Sequence, residues 1–171
     1  MGMIKNLILL LLFALQLSCA FNWRDDELTF LREDNKSNEL RLDGYYYIGE
    51  KTIATYFLYR NGIILYTWST DDLNFTEIEN RFIQKEFLDK LKNVKYLWGL
   101  YRIEGNRISF ERLYPHSPKK AYIRSGYIPN DTTFIITKSM RSDGTEVREK
   151  NEVYHFKKFG PKPDSICKFI N

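Results

Sequence analysis

Apolar positions change their spacing along this chain, and each spacing predicts a different element. Residues 7–15 are apolar without a break and follow a single lysine at position 5. A run of about nine suits the apolar core of a secretory signal segment, roughly 7–15 residues, whereas a membrane-spanning helix needs about 20. Asn22, Arg24, Asp25, Asp26 and Glu27 follow soon after. Beyond residue 40 the pattern is short and β-like. Tyr45, Tyr46, Tyr47 and Ile48 after Asp43-Gly44 read as a strand. Residues 52–59 and 63–69 flank Asn61-Gly62, a pair that supplies both positive φ angles of a type I′ turn, and so predict a hairpin. Residues 96–104 and 107–114 flank Gly105-Asn106, with Ile108 and Phe110 alternating with Arg107, Ser109 and Glu111. Further strands are predicted at 121–128, 132–139 and 147–159.

Between residues 72 and 93 the period lengthens. Phe75, Ile78, Phe82, Phe87, Leu88 and Leu91 recur near three- and four-residue spacing among charged residues, which predicts one amphipathic helix capped by Asn74 or Asp72. The predicted class is mainly β: an antiparallel meander of about eight strands with one inserted helix, able to close into a barrel around one small ligand. The expected organisation is a signal segment at 1–18, a tether at 19–38 and a barrel domain at 39–171.

Charge adds little. Lys and Arg number 26 against 22 Asp and Glu, scattered along the chain, so the basic footprint of a nucleic-acid binder is missing. Aromatics change the picture more: 12 Tyr, 12 Phe and 3 Trp supply both strand formers and flat apolar surface for a ligand or partner. Taking one face of each strand, the expected lining is Tyr46, Phe57, Tyr101, Phe110 and Tyr127, with His155 placed to orient a ligand if it points inward and Trp68 and Trp98 on the opposite parity. A second reading is an accessory protein acting through an exposed aromatic patch, with Tyr45, Tyr47 and Tyr122 as candidates.

Enzyme chemistry is not signalled. The phosphate-loop and dinucleotide glycine patterns and the G-x-S-x-G elbow are missing, and the two histidines, His116 and His155, form no metal-ligand spacing with cysteine. No cofactor or metal is expected. Cys167 lacks an activating neighbour and reads as inert.

Two resemblances add expectations. Leu15-Gln16-Leu17-Ser18-Cys19 resembles the lipobox of bacterial lipoproteins, although Gln16 stands where an aliphatic residue is usual. It implies cleavage before Cys19, attachment of acyl chains such as palmitate there, and a cell-envelope location at the outer membrane. Cleavage after Ala20, giving a secreted soluble domain, is the alternative. Leu42-Asp43-Gly44-Tyr45-Tyr46-Tyr47 and the stretch from Gly99 to Ile108 resemble the opening strand and a later hairpin of lipocalin-like proteins. Tyrosine stands where their tryptophan is usual, and the helix lies mid-chain rather than after the barrel. The resemblance implies a lipocalin-like barrel that binds a small apolar or amphipathic ligand. Expected partners are therefore the membrane, through the lipid, and such a ligand, with the protein partner unidentified and nucleic acid excluded.

Overall fold

The computed structural model describes residues 24–69 and 74–170. The predicted signal segment, Cys19, and Asp72 as an alternative cap lie outside the described residues. Eight antiparallel strands close into a barrel in simple meander order, each paired with its sequence neighbours and the last with the first. They are β1 (Gly44–Ile48), β2 (Ala54–Leu58), β3 (Ile63–Trp68), β4 (Trp98–Glu104), β5 (Arg107–Tyr114), β6 (Lys120–Asn130), β7 (Thr133–Arg141) and β8 (Arg148–Lys158). Closure is made by β1 against β8, Tyr46 opposite Phe156, which leaves no open sheet edge.

The β2–β3 hairpin forms as predicted, but through a different turn. The Gly62 amide donates to the Tyr59 carbonyl and the Tyr59 amide to the Ile63 carbonyl. Gly62 takes φ +75° while Asn61 stays at negative φ. This is a longer loop ending in a left-handed glycine rather than a two-residue type I′ turn. The Asn61 side chain is used elsewhere, donating to Ser165 Oγ at 2.9 Å.

The single predicted helix is two. Helix α1 (Phe75–Phe82) carries a capping box in which Asn74 accepts from the Glu77 amide and Glu77 accepts from the Asn74 amide. After Ile83, Gln84 is extended (ψ 118°) and α2 (Lys85–Leu91) begins. The apolar pattern explains the break. At about 100° per residue, an unbroken helix would put Phe87, Leu88 and Leu91 nearly opposite Phe75, Ile78 and Phe82. The break lets both stripes face the barrel.

Two hydrophobic clusters result. The interior holds Tyr46, Tyr56, Ile64, Tyr101, Ile108, Phe110, Phe134, Ile136 and Tyr154. A second cluster lies outside β1–β4, where Tyr45, Phe57, Leu65, Trp98 and Leu100 are covered by α1, α2 and the C-terminal residues around Phe159 and Ile170. Strands apolar on both faces must be covered on both, so the helices are a lid on the barrel wall rather than a plug at its end.

Residues 24–38, within the expected tether, run as an extended strap along the outer wall. Asp25 pairs with Lys119 at 3.2 Å, and Asp26 holds Arg141 at 2.8 Å and accepts from the Ala121 amide at 3.0 Å. The Thr29 and Phe30 amides both donate to buried Glu111 at 2.7 Å, and the Asn35 amide reaches the Arg60 carbonyl at 2.7 Å.

Candidate functional site

The strands turn back at two ends. One end, where β2 meets β3 and β6 meets β7, is closed by Leu40, Leu42, Leu58 and Ile128. There Tyr46 Oη donates to the Asp131 carbonyl at 2.9 Å, and Arg41 stacks over Phe156 at 4.7 Å. The middle is filled by rings. Phe134 stacks on Tyr154 at 4.4 Å, Tyr154 meets Tyr56 at 5.2 Å, and Tyr56 meets Phe110 at 5.6 Å. These four side chains are at most 2% exposed, so they occupy the volume a hollow lumen would leave.

The expected lining residues therefore part company. Tyr46, Tyr101 and Phe110 point inward as core. Phe57 points outward against Phe82 of α1, with ring centroids 4.9 Å apart. Tyr127 is 43% exposed on the outer wall, and His155 is exposed beside Tyr47. The structure brings these six together at no common cavity. The alternative aromatic patch also fails to assemble: Tyr45 is fully buried and donates to Glu79 at 2.9 Å, and Tyr122 donates to Glu146. Trp98 is buried in the outer cluster and donates to the Leu91 carbonyl at 2.8 Å.

The opposite end of the barrel is open and polar. A cleft of about 550 Å³ lies over the ends of β5, β6, β7 and β8, with Tyr114, Tyr122, Arg124, Arg148, Lys150 and Lys120 among its walls. Four cations face one lining carboxylate, Glu146, which is already bound by Lys120 at 2.8 Å. Glu146 is the one non-glycine residue at positive φ (51°) among the described residues, so the loop holds it against Lys120 and Tyr122 in an uncommon conformation. Arg124 donates to Glu152 at 2.6 Å, and Lys150 pairs with the same carboxylate at 3.2 Å. Arg148 is exposed, and its side chain makes no hydrogen bond or ion pair among the described residues.

Beneath the cleft lies a buried cation that sequence inspection passed over. Arg112 is 3% exposed and is sandwiched between the rings of Tyr66 at 3.8 Å and Tyr114 at 4.0 Å. Its Nη1 reaches only the Tyr96 and Leu113 carbonyls, at 3.3 and 3.4 Å. No carboxylate pairs with it among the described residues. Arg112 Nε, Arg124 Nε and Tyr114 Oη are all buried without a hydrogen-bond partner. The strand parity of Phe110, Arg112 and Tyr114 could have flagged Arg112, since it follows the apolar face inward. The surplus of apolar neighbours hid it. Two further grooves, of about 530 and 540 Å³, run between side chains around Arg102, Arg107 and Tyr127 and beside the strap at residues 33–37.

Among the described residues no group of His, Cys, Asp and Glu is placed to hold a metal ion. Comparison with protein-family models, with curated proteins and with solved structures returns no match, so the reading of this cleft rests on its own residues.

Proposed function

We propose that the chain is a cell-envelope lipoprotein, anchored through acyl chains on Cys19, whose lipocalin-like barrel binds a small amphipathic molecule at its open end. The observation that carries the binding half is the contrast between the two ends. One end is sealed and the middle is filled with rings, while the other opens into a cleft floored by Tyr114, Tyr122 and Arg124. A wholly apolar ligand would find no dry lumen. A ligand with one polar end finds both aromatic surface and donors, the mix usual for small-molecule sites. Trp68, 40% exposed and stacked on Tyr66 at 5.5 Å, adds exposed aromatic surface at the end of β3. The anchoring half rests on the lipobox-like residues 15–19. Two or three acyl chains would give lasting attachment where one gives only reversible binding.

Native mass spectrometry of the mature protein from its own envelope tests both halves. The expected result is a chain beginning at an acylated Cys19 that releases a small molecule on activation. A bare chain beginning at Phe21 removes the anchor. Absence of any releasable ligand, together with an unshifted melting temperature across a panel of amphiphiles, removes the binding role.

A further inference from the structure

Building on that reading of the open end, we infer that the cleft is a seat for an anionic lipid headgroup, with Arg124 in its floor and the buried Arg112 behind Tyr114 adding charge. Three observations converge.

The first is the nature of the unsatisfied atoms. Arg112 Nε and Arg124 Nε can only donate, and the ring of Tyr114, whose Oη is also unpartnered, lies 4.0 Å from one guanidinium and 5.5 Å from the other. Burying a donor without an acceptor is unfavourable, and burying a charge without a counter-charge more so. Of these, Arg124 and Tyr114 line the open cleft, where leftover polar atoms call for a partner from outside.

The second is charge. Around the cleft stand Lys120, Arg124, Arg148 and Lys150, with Arg112 behind Tyr114. Against these five cations stand the carboxylates of Glu146 and Glu152, both already engaged. The excess is positive. The two tyrosine rings that sandwich Arg112 stabilise it through their π faces, but they carry no net charge and do not neutralise it. A phosphate or carboxylate oxyanion supplies the missing charge, and guanidinium groups suit it geometrically.

The third is where the strap begins. Asp25 accepts from the Lys119 amide at 2.9 Å, and Lys119 adjoins Lys120 at the cleft rim. Only six residue steps separate Asp25 from Cys19. A fully extended chain covers at most about 3.6 Å per residue, so an acylated Cys19 would hold this rim within about 22 Å of the bilayer surface. The open end is therefore the end the anchor keeps nearest to lipid headgroups, which makes the bilayer rather than a dissolved oxyanion the source.

The test is calorimetric titration of the mature protein with three probes below micelle formation: dodecyl phosphate, dodecyl maltoside and inorganic phosphate. Dodecyl phosphate is expected to bind at least about tenfold more tightly than the other two, the effect of one good charge-assisted hydrogen bond. Arg124→Gln should remove that preference, weakening dodecyl phosphate at least about tenfold more than dodecyl maltoside. Because Arg124 also holds Glu152, Arg148→Gln serves as a second variant: it is exposed, should leave the melting temperature unchanged and should weaken dodecyl phosphate severalfold. Equal binding of the anionic and neutral dodecyl probes would overturn the inference and leave the amphiphile-binding reading standing. Inorganic phosphate binding as tightly as dodecyl phosphate would overturn the lipid source. No binding of either dodecyl probe would overturn both.

Discussion

At the scale of single residues, the most demanding position is Glu111. It is fully buried on the outer wall and accepts from the Thr29 and Phe30 amides, from Thr29 Oγ1 and from Ser142 Oγ. Among the described residues no cation joins it, and backbone and hydroxyl donors hold the carboxylate. Glu111→Ala would strand two buried amide donors and free the strap. A loss of about 2–3 kcal/mol is expected, the range for hydrogen bonds to a charged group, read as a lowered urea midpoint. Faster proteolysis near residues 24–35 should accompany it. An unchanged midpoint would show that the strap contributes nothing to stability. Nothing in the local sequence marks Glu111: it alternates with Phe110 and Arg112 like any solvent-facing strand residue, its strap partners Thr29 and Phe30 are more than 80 positions away, and Ser142 is 31 away.

At the scale of elements, the β2–β3 turn shows how tertiary contact selects among local options. Asn61-Gly62 permits a type I′ turn, yet Asn61 bonds Ser165 and the strap passes so close that a Cβ on Gly62 would lie 2.2 Å from the Glu33 carbonyl oxygen. Gly105 is the natural comparison, with φ +57° and open space where a Cβ would go. Gly105→Ala should cost about 1–2 kcal/mol, the left-handed backbone term alone. Gly62→Ala should cost distinctly more, because it also displaces the strap. Paired denaturation curves would decide this, and equal losses would argue against the close approach. The helices teach the same lesson in reverse. Their amphipathic character was legible, but the break after Ile83 came from the need to face both apolar stripes toward one wall.

At the scale of the whole molecule, buried tyrosines govern the alkaline limit. Burial pushes the phenols of Tyr45, Tyr46, Tyr59 and Tyr154 up, and that of Tyr101 to about 12. Unfolded, each would ionise near the ordinary 10.0. Their contribution is complete below pH 10 and is lost as pH rises from there, by up to about 1.4 kcal/mol per pH unit for each. Lys162 acts in the opposite sense. Its ammonium, donating to the Leu42 and Leu58 carbonyls at 2.6 and 2.8 Å, is pushed down to about 8 by burial. The unfolded chain keeps that proton up to about 10.5, so stability should rise between pH 8 and 10 before the tyrosines reverse it. Melting curves from pH 7 to 11 should show this maximum, and Lys162→Met should remove the rising limb. A flat profile would show that these groups stay hydrated.

Periods and turn residues determine local matters, and those were readable from the chain alone. They specified eight strands in their observed order, the helical insertion, and an antiparallel closure requiring no long crossover. The lining was not readable in the same way. Strand alternation divides residues into two sets, but it cannot say which set faces inward when both are aromatic, as in Tyr45-Tyr46-Tyr47 and Tyr56-Phe57. Tertiary structure decided that, by laying two helices over the outer set and stacking the inner set into a solid core. It also gathered Arg112, Tyr114 and Arg124 with Tyr66, from three strands, into one end of the barrel. Their shared shortage of acceptors exists only once the chain has closed, because an orphaned donor is a property of surroundings and not of a residue.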